Sequence, residues 1–96
     1  MTNKFENVPN DPDTDIIFCK EMSVGDYKVL HQHWSWDRSI SGDSIIFSKD
    51  DVSHLSDSKI EMEVRKSFNI DPDAEITLKR SDSSYVFVNF NFFIKW

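Results

Sequence analysis

Tyr85-Val-Phe-Val-Asn-Phe-Asn-Phe-Phe-Ile-Lys-Trp96 is the stretch on which the fold turns. Side chains alternate across a strand, so Val86, Val88, Phe90, Phe92, Ile94 and Trp96 are expected on one face. Tyr85, Phe87 and Phe93 fall on the other, with Asn89, Asn91 and Lys95. The first face is a core. Full burial of each of its six side chains contributes roughly 1.5–3 kcal/mol against the entropy of ordering the chain. The second face is too aromatic to be left to solvent. It needs a second cover, from the N-terminal segment, a second copy or a partner, and the N-terminal segment is the expectation.

Working outward, the strand needs neighbours. Asp15-Ile-Ile-Phe-Cys-Lys-Glu-Met22 reads as a strand, Ser23 to Asp26 as a turn around Gly25, and Tyr27 to Trp36 as a second strand. Ser39 to Ser44, with Gly42-Asp43, is expected to break the chain before a short third strand, Ile45-Ile46-Phe47. Ser48-Lys-Asp-Asp51 suits the start of a helical turn holding Val52 and Leu55. Residues 57–68 carry two patterns. Lys59 to Arg65 alternates as a strand would, whereas Ile60, Val64 and Phe68 recur every four residues as on a helix. A capping box at Ser58-Lys-Ile-Glu61 and a stop at Asn69-Ile70-Asp71-Pro72 favour helix. Ala74 to Arg80, with Ile76 and Leu78 on one face, then forms a hairpin with the terminal strand across Ser81–Ser84.

The resulting expectation is an α+β domain over residues 15–96, with about five antiparallel strands against one helical region in the order β-β-β-α-β-β. Residues 1–14, holding Pro9 and Pro12 among Asn and Asp, read as a flexible or extended N-terminal arm. From Ile60 to Phe87 the chain resembles the second half of ubiquitin-like β-grasp domains, particularly PB1-type ones. That resemblance rests on Phe68-Asn69-Ile70, Pro72-Asp-Ala74, Glu75-Ile-Thr-Leu-Lys79 and the following hairpin. It implies a β-grasp-like arrangement and an adaptor or self-association role working through sheet edges.

Composition narrows the function classes. Seventeen acidic and eleven basic residues give a formal charge of −6, which disfavours phosphate backbones and favours a basic partner. The single Cys19 allows no internal disulfide and fits a reducing compartment. The opening residues have no signal-peptide core and no apolar run reaches a membrane span. The chain reads as a soluble cytoplasmic protein with no membrane partner.

His31-Gln-His33 is the most chemical-looking motif, because residues two apart on a strand share a face and can meet one metal. Asp37 or Cys19 would add a ligand, and a small metal-dependent hydrolase is the reading that follows. The plainer reading is a half-exposed strand face opposite Leu30, Trp34 and Trp36. No Gly-x-Ser-x-Gly elbow surrounds any serine, Cys19 has no adjacent base, and Gly25 and Gly42 cannot build a phosphate loop. The expectation is therefore no enzyme, no cofactor and no metal.

The acidic charge comes in blocks. Residues 1–26 hold six acids and two bases, residues 50–63 five acids and one base, and the last sixteen residues are neutral. Asp50, Asp51, Asp57, Glu61 and Glu63 are accordingly the expected partner-binding residues, with Trp34 and Trp36 as aromatic anchors. A row of carboxylates imitates a phosphate backbone and fits the basic surface of a nuclease or other nucleic-acid-handling enzyme. In general character the chain resembles phage-encoded anti-CRISPR and anti-restriction inhibitors and toxin-immunity proteins. A non-enzymatic inhibitor that binds such a protein, without binding nucleic acid itself, is the leading expectation. A homodimer is compatible with it.

Overall fold

The computed structural model describes residues 14–36, 40–80 and 84–94, the side chains of 91–94 excepted. Five strands and one helix follow in the expected order: β1 (Thr14–Val24), β2 (Tyr27–Trp36), β3 (Ile40–Ser48), α1 (Asp57–Phe68), β4 (Ile76–Arg80) and β5 (Tyr85–Ile94). They form one sheet, ordered β1-β2-β3-β5-β4, with every neighbouring pair antiparallel. The fold is α+β. A helix, a turn and a hairpin do occupy Ile60 to Phe87, but the strands before them form a plain meander, and the β-grasp likeness goes no further than that segment. Among the described residues no helix is long and apolar enough to cross a membrane.

One face of the sheet carries the helix. Val24, Val29, Ile45, Phe47, Val86, Val88 and Phe90 cover that face, and Val52, Ile60 and Val64 pack down on them. Half-buried Ile76 and Leu78 extend the same layer onto β4, as their spacing predicts. The opposite face holds a smaller cluster of Leu30, Ile46 and Tyr85, with Phe87 packed against it. Both faces of β5 are thus apolar from Tyr85 to Val88. Beyond Phe90 the β3–β5 register shifts: three steps along β5, from Phe90 to Phe93, match two along β3, from Asp43 to Ser41. Strict alternation therefore does not carry through the whole terminal strand. Residues 1–13, expected as an arm and as the cover of this second face, lie outside the described residues, as do Lys95 and Trp96.

Two local expectations are corrected. Gly42-Asp43 does not break the chain; β3 runs through it from Ile40. Turn propensity is overridden because Trp34 of β2 lies across Gly42, where a Cβ would come within 2.8 Å of its ring. Only glycine fits there, so the site is a packing position rather than a turn. The helix is also capped two residues earlier than expected, at Ser56, whose hydroxyl accepts the Lys59 amide at 3.2 Å. Ser58 is already inside the helix.

The C-terminal end is as expected. Asn69 adopts the left-handed conformation (φ 52°), its amide and that of Ile70 return to the Arg65 carbonyl, and Ile70 packs on the core. Removing the N-cap tests this local reading. Ser56→Ala should cost about 1 kcal/mol in urea denaturation, whereas Ser58→Ala should stay within about 0.5 kcal/mol.

Candidate functional site

Register places the two histidines. Tyr27, Val29, His31 and His33 share the helix-side face of β2, and β3 sets Ile45 opposite His31 and Asp43 opposite His33. Both rings therefore point at one carboxylate. His31 donates from Nε2 to Asp43 Oδ1 at 3.1 Å, and His33 from Nδ1 to the same oxygen at 3.0 Å. Asp43 is nearly buried, with a side chain 11% exposed. A buried carboxylate must be hydrogen-bonded, and these two donors satisfy that need.

This is not the ligand set that the metal alternative required. Cys19 pairs with Gln32, on the face away from both histidines, and Asp37 lies outside the described residues. Three potential ligands do meet, yet both ring N–H groups aim at the carboxylate oxygen itself. A metal would instead require lone pairs converging on a shared point about 2.0–2.2 Å from each donor atom. Among the described residues no group of three or more His, Cys, Asp and Glu is arranged to hold a metal ion.

What the cluster does hold is Phe18. In β1, Phe18 sits opposite His33. Its ring stacks on His33 (centroids 5.6 Å, planes 24° apart) and meets His31 edge-on at 5.1 Å. Phe68, in the last turn of α1, also meets His31 edge-on, with centroids 5.5 Å apart. Asp43 thus fixes two imidazoles, and the imidazoles form a platform under an aromatic side chain that remains 43% exposed.

Phe18 stands on a sheet edge. Among the described residues β1 has a strand partner, β2, along one side only. It is eleven residues long, largely exposed, and carries Ile17 at 55% exposure beside Phe18. An unpaired edge presents a row of backbone donors and acceptors to any strand that aligns with it. The other edge, β4, is five residues long and bears exposed Lys79 and Arg80, the usual protection of an edge. The two edges are unlike, and β1 is the open one.

The five expected acidic residues do not form one row. Asp57 accepts from Arg80 Nε at 2.6 Å, and Glu63 pairs with Lys59 at 3.5 Å. Glu61 and Glu63, two residues apart, are about 200° apart around the helix, on opposite flanks. Glu63 reaches toward Gly25 in the β1–β2 turn. Asp50 is exposed and Asp51 partly so, in the turn before the helix.

Trp34 and Trp36 lie on the sheet face opposite α1, away from the helix acids. Trp34 is half-buried and donates to Ser44 Oγ at 2.8 Å; Ser44 donates on to Asn89. Trp36 is 42% exposed.

Asp43 and Phe18 were not singled out from sequence. The signal for Phe18 was present: Ile16-Ile17-Phe18 is a run of three apolar residues that breaks alternation, as a bulge in a strand would. Compared with models of known families, with curated proteins and with solved structures, the chain matches none.

Proposed function

We propose that the chain is a non-enzymatic protein-binding module that engages its partner along the β1 edge. The observation that carries this is the open edge itself: eleven residues, unpaired on one side among the described residues, with Ile17 and Phe18 exposed at its centre. Backbone pairing supplies affinity in such contacts, and the projecting side chains supply specificity. Phe18, held by the His31–Asp43–His33 platform, is the ordered anchor, so little rotamer entropy is lost on binding.

A second reading, an inhibitor that covers the basic surface of a nucleic-acid-handling protein, is supported by the exposed Asp50 and Asp57 and by the charge of −6. The ion pairs of Asp57 and Glu63 with the chain's own cations weaken it, because those cations offset the field a basic partner would meet.

Salt separates the two. In a pull-down from the native host's lysate, the edge reading expects capture that persists at high salt and is lost from an Ile17→Lys/Phe18→Lys variant. Loss of two apolar anchors should weaken binding by about 2 kcal/mol, roughly thirtyfold. Capture by that variant at wild-type strength would overturn the edge reading. Capture abolished by salt and by reversing Asp50, Asp51 and Asp57 would establish the acidic one.

A further inference from the structure

We infer that the strand received by this edge is β1 of a second copy of the chain, aligned antiparallel about a two-fold axis at Phe18. The inference rests on the edge reading above and names the partner. It follows from the register of β1 on β2. Asp15 lies opposite Ser35, Phe18 opposite His33 and Lys20 opposite His31, with a shift between Ile16 and Phe18.

By chain count Asp15 is three residues from Phe18 and Lys20 only two. Measured on the ladder, each stands two positions from Phe18, because Ile17 is the extra residue of a bulge. Ser35, His33 and His31 share one face of β2, so Asp15, Phe18 and Lys20 share one face of β1. A bulge ordinarily turns an edge away from pairing. Here it makes the edge symmetric.

A second copy placed by that symmetry brings Phe18 against its own counterpart. It also sets Lys20 opposite Asp15 of the other copy, twice, and Cys19 opposite Ile16. Directly opposed opposite charges and aromatic pairs are the favourable cross-strand combinations, and like charges the unfavourable ones. Among the described residues neither Asp15 nor Lys20 has an ion-pair partner within the chain. The Lys20 ammonium lies 6.0 Å from the centre of the Phe18 ring, beside the axis where the second copy's Asp15 would arrive. The next two-fold register in either direction would oppose Phe18 to Lys20 or to Asp15, and would lose the Phe18 pair and both Asp15–Lys20 pairs. Isologous contact of this kind closes on itself and joins two five-stranded sheets into one.

Sedimentation velocity over a concentration series tests it. The wild type should form a reversible dimer. Lys20→Asp, which sets a carboxylate against the other copy's Asp15 at each end of the seam, should raise the dimer dissociation constant at least about tenfold, and Asp15→Lys should do the same against Lys20. The charge-swapped Asp15→Lys/Lys20→Asp should recover to within about threefold of wild type. Both positions of substitution are exposed, and an unchanged melting temperature verifies that each variant is folded. A wild type that stays monomeric throughout, a Lys20→Asp variant that dimerises as well as wild type, or a double variant that fails to recover each overturns the inference. A monomeric wild type leaves the edge reading standing, since that reading falls on a different result: undiminished lysate capture by Ile17→Lys/Phe18→Lys.

Discussion

Phe47→Ala should destabilise the fold by about 3–5 kcal/mol, the largest effect expected of any single truncation in the chain. Phe47 is 1% exposed and is the largest of the fully buried side chains. It lies between Val29 of β2 and Val86 of β5, under the helix, with Tyr27 edge-on at 6.3 Å. Three strands and α1 converge on that point, so neighbouring side chains cannot collapse into the space without moving a strand. A domain of this size has about 5–15 kcal/mol of stability in all. Urea denaturation should show the midpoint falling sharply with an unchanged slope. A loss below about 1.5 kcal/mol would mean that the core is not centred where the sheet and helix meet at Phe47.

The second large effect is expected at Asp43. Asp43→Ala removes the acceptor of two imidazole N–H groups and should cost about 2–3 kcal/mol, since each buried donor left without a partner costs roughly 1–3 kcal/mol and His33 retains some access to water. Asp43→Asn keeps one carbonyl oxygen in place and should cost less than half as much. The substitution also acts at a distance. Without Asp43 the two rings lose their fixed orientation, and Phe18 loses the surface it stacks on. Amide and ring resonances of Phe18 should therefore shift in Asp43→Ala and not in Ser56→Ala. A cost below about 0.5 kcal/mol, with the Phe18 resonances unmoved, would remove the platform from the account.

Much of this architecture is legible in the sequence, because the periods are strong where burial is one-sided. Val86, Val88 and Phe90, then Ile76 and Leu78, then Ile60, Val64 and Phe68 each declare a face, and Asn69-Ile70 declares a helix end. Helix prevailed over strand in residues 57–68 for the reason the stop signal gives. Where the reading failed, a tertiary contact overrode a local preference. Gly42-Asp43 looks like a turn, yet Trp34 claims the space over Gly42 and two histidines claim the Asp43 carboxylate. With Trp36 opposite Ile40, counting inward along the two strands brings Asp43 opposite His33.

The candidate site was less legible. Charge blocks are visible in a sequence, but the cations that answer them, Arg80 to Asp57 and Lys59 to Glu63, are partners only once the chain is folded. An open edge is less visible still. It depends on which strands end up inside the sheet, and nothing local in Thr14–Val24 distinguishes an edge strand from a central one except the break in alternation at Ile17.

Amide hydrogen exchange, followed by mass spectrometry at low and high protein concentration, tests the central claim most directly. If β1 is the interaction edge and a second copy its occupant, exchange should slow with concentration in residues 14–22 and stay constant in 57–68 and 76–80. Concentration-dependent protection confined to the helix or to β4, or exchange in residues 14–22 that does not change with concentration, would contradict it.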